Sequence, residues 1–156
     1  MAGNGAVHGY DAARGDGLWT VPLEGPGPRA ATPACAGGVV VLAERVPPAA
    51  HAHTGPRTHV YAVDAAEGCA RWTRTVDAVS GPTSVPTVAG GRVYLGTASH
   101  ALALDAADGT VQWTHALEGS GAGAQSPAAA SQPVVTAGRV LVGSRAGAVT
   151  ALASQE

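Results

Sequence analysis

One sequence pattern occurs three times in this chain and decides its fold. Residues 62–73 read AVDAAEGCARWT, residues 9–20 read GYDAARGDGLWT, and residues 103–114 read ALDAADGTVQWT. The copies share Asp-Ala-Ala-x-Gly-x-x-x-Trp-Thr without gaps, and all 3 Trp residues of the protein fall on it. Because chance would rarely place every Trp on one pattern, the chain is built from structural repeats.

A second segment recurs after each Trp. Residues 33–43, 86–96 and 133–143 each contain an apolar stretch, a short turn with Gly and a Val-rich stretch. Such a segment is typical of a β-hairpin. Each repeat therefore contains a hairpin followed by the Asp-to-Trp segment.

The spacing of the repeats predicts the architecture. Asp64 and Asp105 lie 41 residues apart, and Asp11 and Asp64 lie 53 apart because of an insertion within residues 44–58. A period of about 40–45 residues with four short strands is typical of a β-propeller blade. We expect an all-β fold, a β-propeller of four-stranded antiparallel blades with about three blades.

The repeat that follows the insertion predicts where the strands lie. Its apolar runs place strands A to D at residues 84–88, 92–97, 100–104 and 110–114. In the turn between C and D, Asp accepts backbone N–H groups and Gly supplies a positive φ. The Trp of strand D is expected to lay its ring across to a neighbouring blade.

The same reading gives thirteen strands in the whole sequence. Strands C and D come first, at residues 6–10 and 18–20, and strands A, B and C come last, at 133–136, 139–144 and 148–152. Since about three blades do not close a ring, three interpretations are open. The favoured one is a piece of a longer reading frame; the others are completion by a second copy and an unusual closure within one chain.

The repeats cover the chain as one region. We expect a single propeller segment over residues 1–156, with blade units at about 6–20, 31–74, 83–114 and 132–152.

Composition and charge exclude several classes of protein. The chain has 22 Gly and 11 Pro, with Val as its main large aliphatic residue, which argues against long helices and for short strands with many turns. Its net charge of −2 provides no basic surface for nucleic acid. No run approaches the roughly 20 apolar residues of a membrane helix, and residues 1–17 do not resemble a signal peptide.

The recurring pattern Ala-x-Asp-Ala-x-x-Gly-x-x-x-Trp resembles the repeat of the pyrroloquinoline-quinone-type β-propellers. In that family the pattern is called the tryptophan-docking motif. The resemblance extends from Gly9 to about Leu152. The same repeat occurs in quinoprotein alcohol dehydrogenases, in the propeller lipoprotein of the outer-membrane barrel-assembly machinery and in sensor propellers of bacterial Ser/Thr kinases. It implies a periplasmic or cell-surface location for such a propeller.

The dehydrogenase chemistry does not carry over from this resemblance. Those enzymes use an adjacent Cys-Cys disulfide, calcium and a catalytic Asp, whereas Cys35 and Cys69 are far apart in this sequence. We therefore assign no catalytic, cofactor-binding or metal residue and expect no cofactor.

The histidines suggest a metal site only weakly. His51, His53 and His59 fall in the long insertion, where a His-x-His pair on a strand would point both rings to one side. A solvated loop is the favoured reading because no carboxylate or Cys is fixed beside them. His8 and His100, like His115, are spread over different blades.

The repeated Asp residues and the two Cys residues favour structural roles. Asp11, Asp64 and Asp105 recur with the blade, whereas a catalytic residue is needed once per site. Cys35 and Cys69 are predicted two strand spacings apart, about 10 Å, which exceeds the Cα separation of a disulfide. We expect two free thiols.

These observations favour a non-enzymatic module that binds a protein or another ligand on a blade face or in the central channel. A protein or peptide partner is expected, with a second copy completing the ring as a further partner, and no nucleic acid or membrane span. The alternative is a fragment of a quinone-dependent dehydrogenase.

Overall fold

The computed structural model of the protein describes residues 5–23, 32–46, 57–76, 84–97, 99–117, 131–144 and 147–153. Within these ranges every regular element is a β-strand, and the strands form four antiparallel sheets. Sheets I to IV contain two, four, four and three strands in chain order. The predicted all-β fold of four-stranded antiparallel blades is confirmed.

The strands of each sheet follow one another along the chain and pair with their sequence neighbours. Sheet I contains β1 (Ala6–Tyr10) and β2 (Gly17–Pro22); sheet II contains β3 (Ala34–Ala36), β4 (Val39–Val46), β5 (Arg57–Asp64) and β6 (Ala70–Val76); sheet III contains β7 (Thr87–Ala89), β8 (Arg92–Gly96), β9 (His100–Asp105) and β10 (Val111–Ala116); sheet IV contains β11 (Val134–Thr136), β12 (Arg139–Gly143) and β13 (Val149–Ala153).

The first strand of sheet III is shorter than predicted. Pairing begins at Thr87, although the segment at Ser84 already approaches β8, where Ser84 N–H donates to the carbonyl of Gly96 at 2.7 Å. Pro86 lies between these points, and its missing N–H interrupts the ladder. The other predicted strands of this sheet differ from the observed ones by one or two residues at their ends.

The sheets are stacked face to face and the core lies between them. Alternation along the strands sends Val41 and Ala62 of sheet II toward Leu102 and Leu104 of sheet III, and all four are buried in one cluster. On the opposite face of sheet III, Tyr94 and Ala103 share a second cluster with Val140 and Val142 of sheet IV. Strands β8 and β9 are therefore buried on both faces, as a sheet between two neighbours requires.

The short first strands of sheets II, III and IV lie side by side, with β7 next to both β3 and β11. Between β7 and the segment before β11, Thr87 Oγ1 donates to the Pro133 carbonyl at 2.5 Å. These strands form the inner side of the stack, and the strands that carry Trp form the outer side. This is the order of strands within the blades of a propeller.

Candidate functional site

The Asp of each repeat builds the turn between the third and fourth strands. Its Oδ1 accepts backbone N–H groups from the residues two or three positions later. The bonds are Ala13 and Arg14 to Asp11 at 2.9 and 2.8 Å, Ala66 and Glu67 to Asp64 at 2.8 and 2.9 Å, and Ala107 to Asp105 at 2.8 Å. The Gly of each turn has a positive φ: 74° at Gly15, 65° at Gly68 and 73° at Gly109. The predicted structural role of these Asp residues is confirmed.

The Trp of one sheet docks on the turn of the next sheet. Trp19 Nε1 donates to the Ala65 carbonyl at 3.2 Å, and Trp72 Nε1 donates to the Ala106 carbonyl at 2.9 Å. The rings cover Gly68 and Gly109, where an added Cβ would collide with the indole. Gly is therefore required at positions 68 and 109 for two reasons, the positive φ of the backbone and the close approach of the Trp ring.

A β-bulge precedes each Trp, which sequence reasoning missed. In sheet III, Trp113 pairs with Ala103 and Val111 pairs with Leu104, so Gln112 has no partner on β9. The same irregularity leaves Leu18 and Arg71 unpaired in the other two sheets. Because a bulge bends the strand and increases its twist, it changes the direction in which the Trp side chain leaves the strand.

Two arginines of β6 support the docked turns. Arg71 forms an ion pair with Asp64 through Oδ2, and Arg74 donates from Nε to the Gly109 carbonyl at 3.0 Å. The pKa of Asp64 is lowered to about 2, first by the backbone N–H of Glu67 and then by the Arg71 guanidinium. Hydrogen bonds from Thr110 lower the pKa of Asp108 as well.

Trp113 differs from the other two Trp residues. Its indole N–H makes no hydrogen bond to any residue that the structure describes, and its ring centre lies 6.2 Å from that of Tyr94. In sheet IV, Ala153 occupies the position of Asp64 and Asp105. Alanine has no side-chain oxygen to accept the N–H bonds that Asp64 and Asp105 accept in their turns. Among the described residues, Trp113 lines a cleft.

We call the space between sheet III, at strands β8 and β10, and sheet IV the Trp113 cleft. Its volume is about 410 Å³, and its apolar wall consists of Tyr94, Trp113, Val135, Val140 and Leu152. Its polar lining includes Gln112, His115 and the exposed side chains of Arg92 and Arg139, and none of the described residues that line it is Asp or Glu. The cleft therefore combines an aromatic surface with positive charge, which suits a peptide segment that carries carboxylate or carbonyl oxygens.

Sequence reasoning missed this cleft, although one signal for it was available. Aligning the repeats by their turns places Ala153 opposite the Asp of the other copies, and this predicts a Trp without its docking turn. The volume and the positive lining depend on how β10 and β12 face each other, which the repeat pattern does not give.

Of the three histidines considered as metal ligands, only His59 lies among the described residues. His59 lies on β5, where its Nδ1 is 3.4 Å from the Tyr61 hydroxyl, and that hydroxyl donates to Glu44 at 2.9 Å. His51 and His53 lie outside the described residues. Among the residues that are described, no three His, Cys, Asp or Glu side chains are grouped as metal ligands.

The structure also describes the two cysteines and the three histidines outside the insertion. Cys35 and Cys69 are both exposed free thiols, as predicted. His8 lies on β1 of sheet I, but His100 and His115 lie on the paired strands β9 and β10 of sheet III. The prediction that all three occupy different blades is therefore wrong for His100 and His115, because both strands belong to one hairpin.

Comparisons with known proteins agree on the fold. A family model described as outer membrane protein assembly factor BamB matches residues 3–156. The crystal structure of BamB from Moraxella catarrhalis superimposes with a TM-score of 0.71 at 24% sequence identity, covering 96% of this chain and 40% of that one. This chain therefore spans about two fifths of that protein's length. None of the curated proteins matches the sequence. In the described part of the chain, no helix has the length and apolar character needed to cross a membrane.

Proposed function

This chain belongs to the β-propeller family described as outer membrane protein assembly factor BamB, and we propose that it is a non-enzymatic module that binds another protein. The observation that carries the proposal is the Trp113 cleft. An assembly factor acts through contacts with proteins, and in this cleft the chain presents an aromatic ring whose N–H has no partner among the described residues.

The chemistry of the cleft favours a protein ligand. Trp, Tyr and Arg are the residues that dominate binding energy at protein interfaces, and the cleft contains Trp113, Tyr94, Arg92 and Arg139. The Trp113 indole N–H can donate to a peptide carbonyl, as Trp72 does to Ala106. The two guanidinium groups add a preference for a segment with Asp or Glu.

The proposal also includes the organisation and the location of the chain. Residues 1–156 form one propeller segment with blade units at about 6–20, 31–74, 83–114 and 132–152, and the segment acts as part of a larger propeller. Its place is the periplasm or the cell surface, as the family description suggests. A second copy of the chain is a further protein partner.

Photo-crosslinking tests the cleft directly. Thr114 and Thr73 are both exposed and both follow a Trp, but only Thr114 lines the cleft. A benzophenone side chain at position 114 is expected to crosslink one outer-membrane or periplasmic protein from a bacterial envelope extract, identified by mass spectrometry. The same group at position 73 is the matched control, and Arg92→Glu should weaken the crosslink.

Two results would overturn the proposal. One is equal crosslinking from positions 114 and 73, or a yield that Arg92→Glu leaves unchanged. The other is dye-linked alcohol oxidation by the purified chain after addition of pyrroloquinoline quinone and calcium, which would identify a dehydrogenase.

A further inference from the structure

Three polar side chains of sheet II converge on one point. Tyr61 donates from its hydroxyl to Glu44 Oε1 at 2.9 Å, and the same hydroxyl oxygen lies 3.4 Å from His59 Nδ1. Glu44 and His59 are directly opposite each other on β4 and β5, and Tyr61 follows His59 by two residues, so all three belong to the same face of the sheet. No carboxylate was expected beside His59, yet the pairing of β4 with β5 places Glu44 there.

The packing of the sheets does not require this polar cluster. In sheet III the position of Tyr61 is occupied by Leu102, which is 1% accessible, and the position of Glu44 is occupied by Thr97. Of the three residues only the histidine recurs, as His100 at the start of β9. Sheet II therefore carries a phenol and a carboxylate at two positions where the equivalent sheet packs an apolar side chain and a small hydroxyl.

We propose that Glu44, His59 and Tyr61 bind a divalent transition-metal ion. Nitrogen and oxygen ligands of such ions lie about 2.0–2.2 Å from the metal, which places neighbouring ligand atoms about 2.9–3.5 Å apart. The two distances that meet at the Tyr61 oxygen, 2.9 and 3.4 Å, agree with this spacing. One imidazole nitrogen with two oxygens suits Zn²⁺ or Cu²⁺ better than Mg²⁺, which prefers an octahedron of oxygen ligands.

The burial of the three groups suits an ion that enters from solvent. Tyr61 is 4% accessible and forms the inner side of the cluster, whereas Glu44 and His59 are half-buried and partly exposed to water. The carboxylate supplies a negative charge, and the proton of the Tyr61 hydroxyl is released to water when its oxygen coordinates the ion. The inference does not depend on the proposed function, since none of these ligands lines the Trp113 cleft.

Isothermal titration calorimetry of the purified chain with Zn²⁺ tests the site, with Mg²⁺ as the comparison ion. One Zn²⁺ is expected to bind with a Kd on the order of 10 µM, and Mg²⁺ should give no binding heat. Glu44→Gln and His59→Ala should each weaken Zn²⁺ binding by about 10-fold or more, with an unchanged circular dichroism spectrum, because each removes one ligand. His100→Ala is the matched control, since His100 has the equivalent position in sheet III, and it should leave the affinity unchanged.

Cu²⁺ adds a spectroscopic test of the third ligand. Coordination by the Tyr61 oxygen should give the Cu²⁺-loaded chain a charge-transfer absorption band from phenolate to copper. Tyr61→Phe should remove this band, whereas Tyr10→Phe is the matched control and should keep it, because Tyr10 lies on β1, outside the cluster. A band that survives Tyr61→Phe would contradict the assignment of this ligand.

Three results would overturn the metal site. The first is the absence of Zn²⁺ binding up to about 1 mM, and the second is an affinity that Glu44→Gln and His59→Ala both leave unchanged. The third is loss of binding in a chain with His51→Ala and His53→Ala while His59→Ala still binds, which would assign the ion to the insertion. Each of these results leaves the crosslinking test of the Trp113 cleft unaffected.

Discussion

The interface between sheets II and III and the interface between sheets III and IV are built from the same sheet faces, but only the first is closed by a docked Trp. Trp72 reaches the Ala106 carbonyl and covers Gly109, and Arg74 adds a bond to the Gly109 carbonyl. Trp113 has the same position on β10, yet the residue that should begin its docking turn is Ala153. The outer side of this second interface is therefore a cleft.

This difference shows that the repeat motif has two halves with separate roles. The Asp-Ala-Ala-x-Gly half shapes a turn, and the Trp half fills the surface of the next turn. A repeat can therefore contribute a complete apolar interface, as Val140 and Val142 do in sheet IV, and still leave the outer side open. Closure by Trp is added to the core packing and does not replace it.

The largest effect is expected from removing the docked ring. Trp72→Ala should lower the free energy of unfolding by about 3 kcal/mol, because it removes a half-buried ring and leaves the Ala106 carbonyl without its donor. Trp113→Ala should cost about 1 kcal/mol, because it removes only the contacts of a ring at the edge of a cleft. Urea unfolding measures both, and equal losses would contradict the distinction between the two interfaces.

A methyl group added to the turn at Gly109 should weaken the same contact between this turn and the Trp72 ring. Gly109→Ala is expected to cost about 2 kcal/mol, since φ is 73° and the new Cβ would lie 2.6 Å from Trp72 Cε3. Gly91 is the matched control, with a φ of 71° and open space around its Cα. Gly91→Ala should cost about 1 kcal/mol from backbone strain alone. If both variants lose the same stability in urea, the ring does not limit the turn.

Two equivalent Ser residues, Ser84 before β7 and Ser131 before β11, allow sheets III and IV to be compared near their first strands. Ser84 Oγ accepts the N–H of Gly96 at 2.9 Å and is buried, whereas Ser131 Oγ accepts the N–H of Gly143 at 2.8 Å and is exposed. Ser84→Ala should cost about 1.5 kcal/mol and Ser131→Ala about 0.5 kcal/mol, because only the first leaves a buried N–H unsatisfied. The difference in thermal unfolding temperature between the two variants measures this, and its reversal would contradict the burial assigned to them.

The smallest effect concerns Asp64, the turn residue of sheet II whose position in sheet IV is occupied by Ala153. The folded-state pKa of Asp64 lies below its ordinary value, so its contribution to stability is present above about pH 4 and is lost as the pH falls toward 2. Arg71→Gln should raise this pKa only part of the way, because the Glu67 N–H is the larger cause. An NMR titration of the Asp64 carboxyl group measures the shift, and a return to 3.8 would mean that the turn itself contributes nothing.

Much of the fold could be predicted from sequence because the repeats report it three times. The Asp turns, the positions of the strands and the docking of Trp19 and Trp72 all follow from residue types that recur at fixed spacing. The early end of the ladder at Pro86 was also readable in principle, since the missing N–H of proline is a local property. These features depend on one repeat and its immediate neighbour.

The candidate site was less accessible to the same reasoning. The Trp113 cleft arises where the pattern fails, and a failed match at Ala153 has no chemical signature of its own. The bulge before each Trp depends on how the strands twist. The bulged positions are occupied by residues with no common chemical type, Leu18, Arg71 and Gln112. The positive lining depends on Arg92 and Arg139, which come from different repeats.

The docking of Trp19 and Trp72 on the turn of the next sheet also determines how a local loss of stability spreads through the molecule. Among the described residues, the core clusters and the Trp contacts between sheets join nearest neighbours, as in a linear array whose stability is a sum of unit and junction terms. Sheets II and III, which each have a described sheet on both sides, should retain their amide protons longer in hydrogen exchange than the two-stranded sheet I. A unit that has both halves of the motif can contact a neighbour on each side, through its turn on one side and its Trp on the other. Such a molecule can therefore gain or lose a whole unit during evolution without changes in the rest.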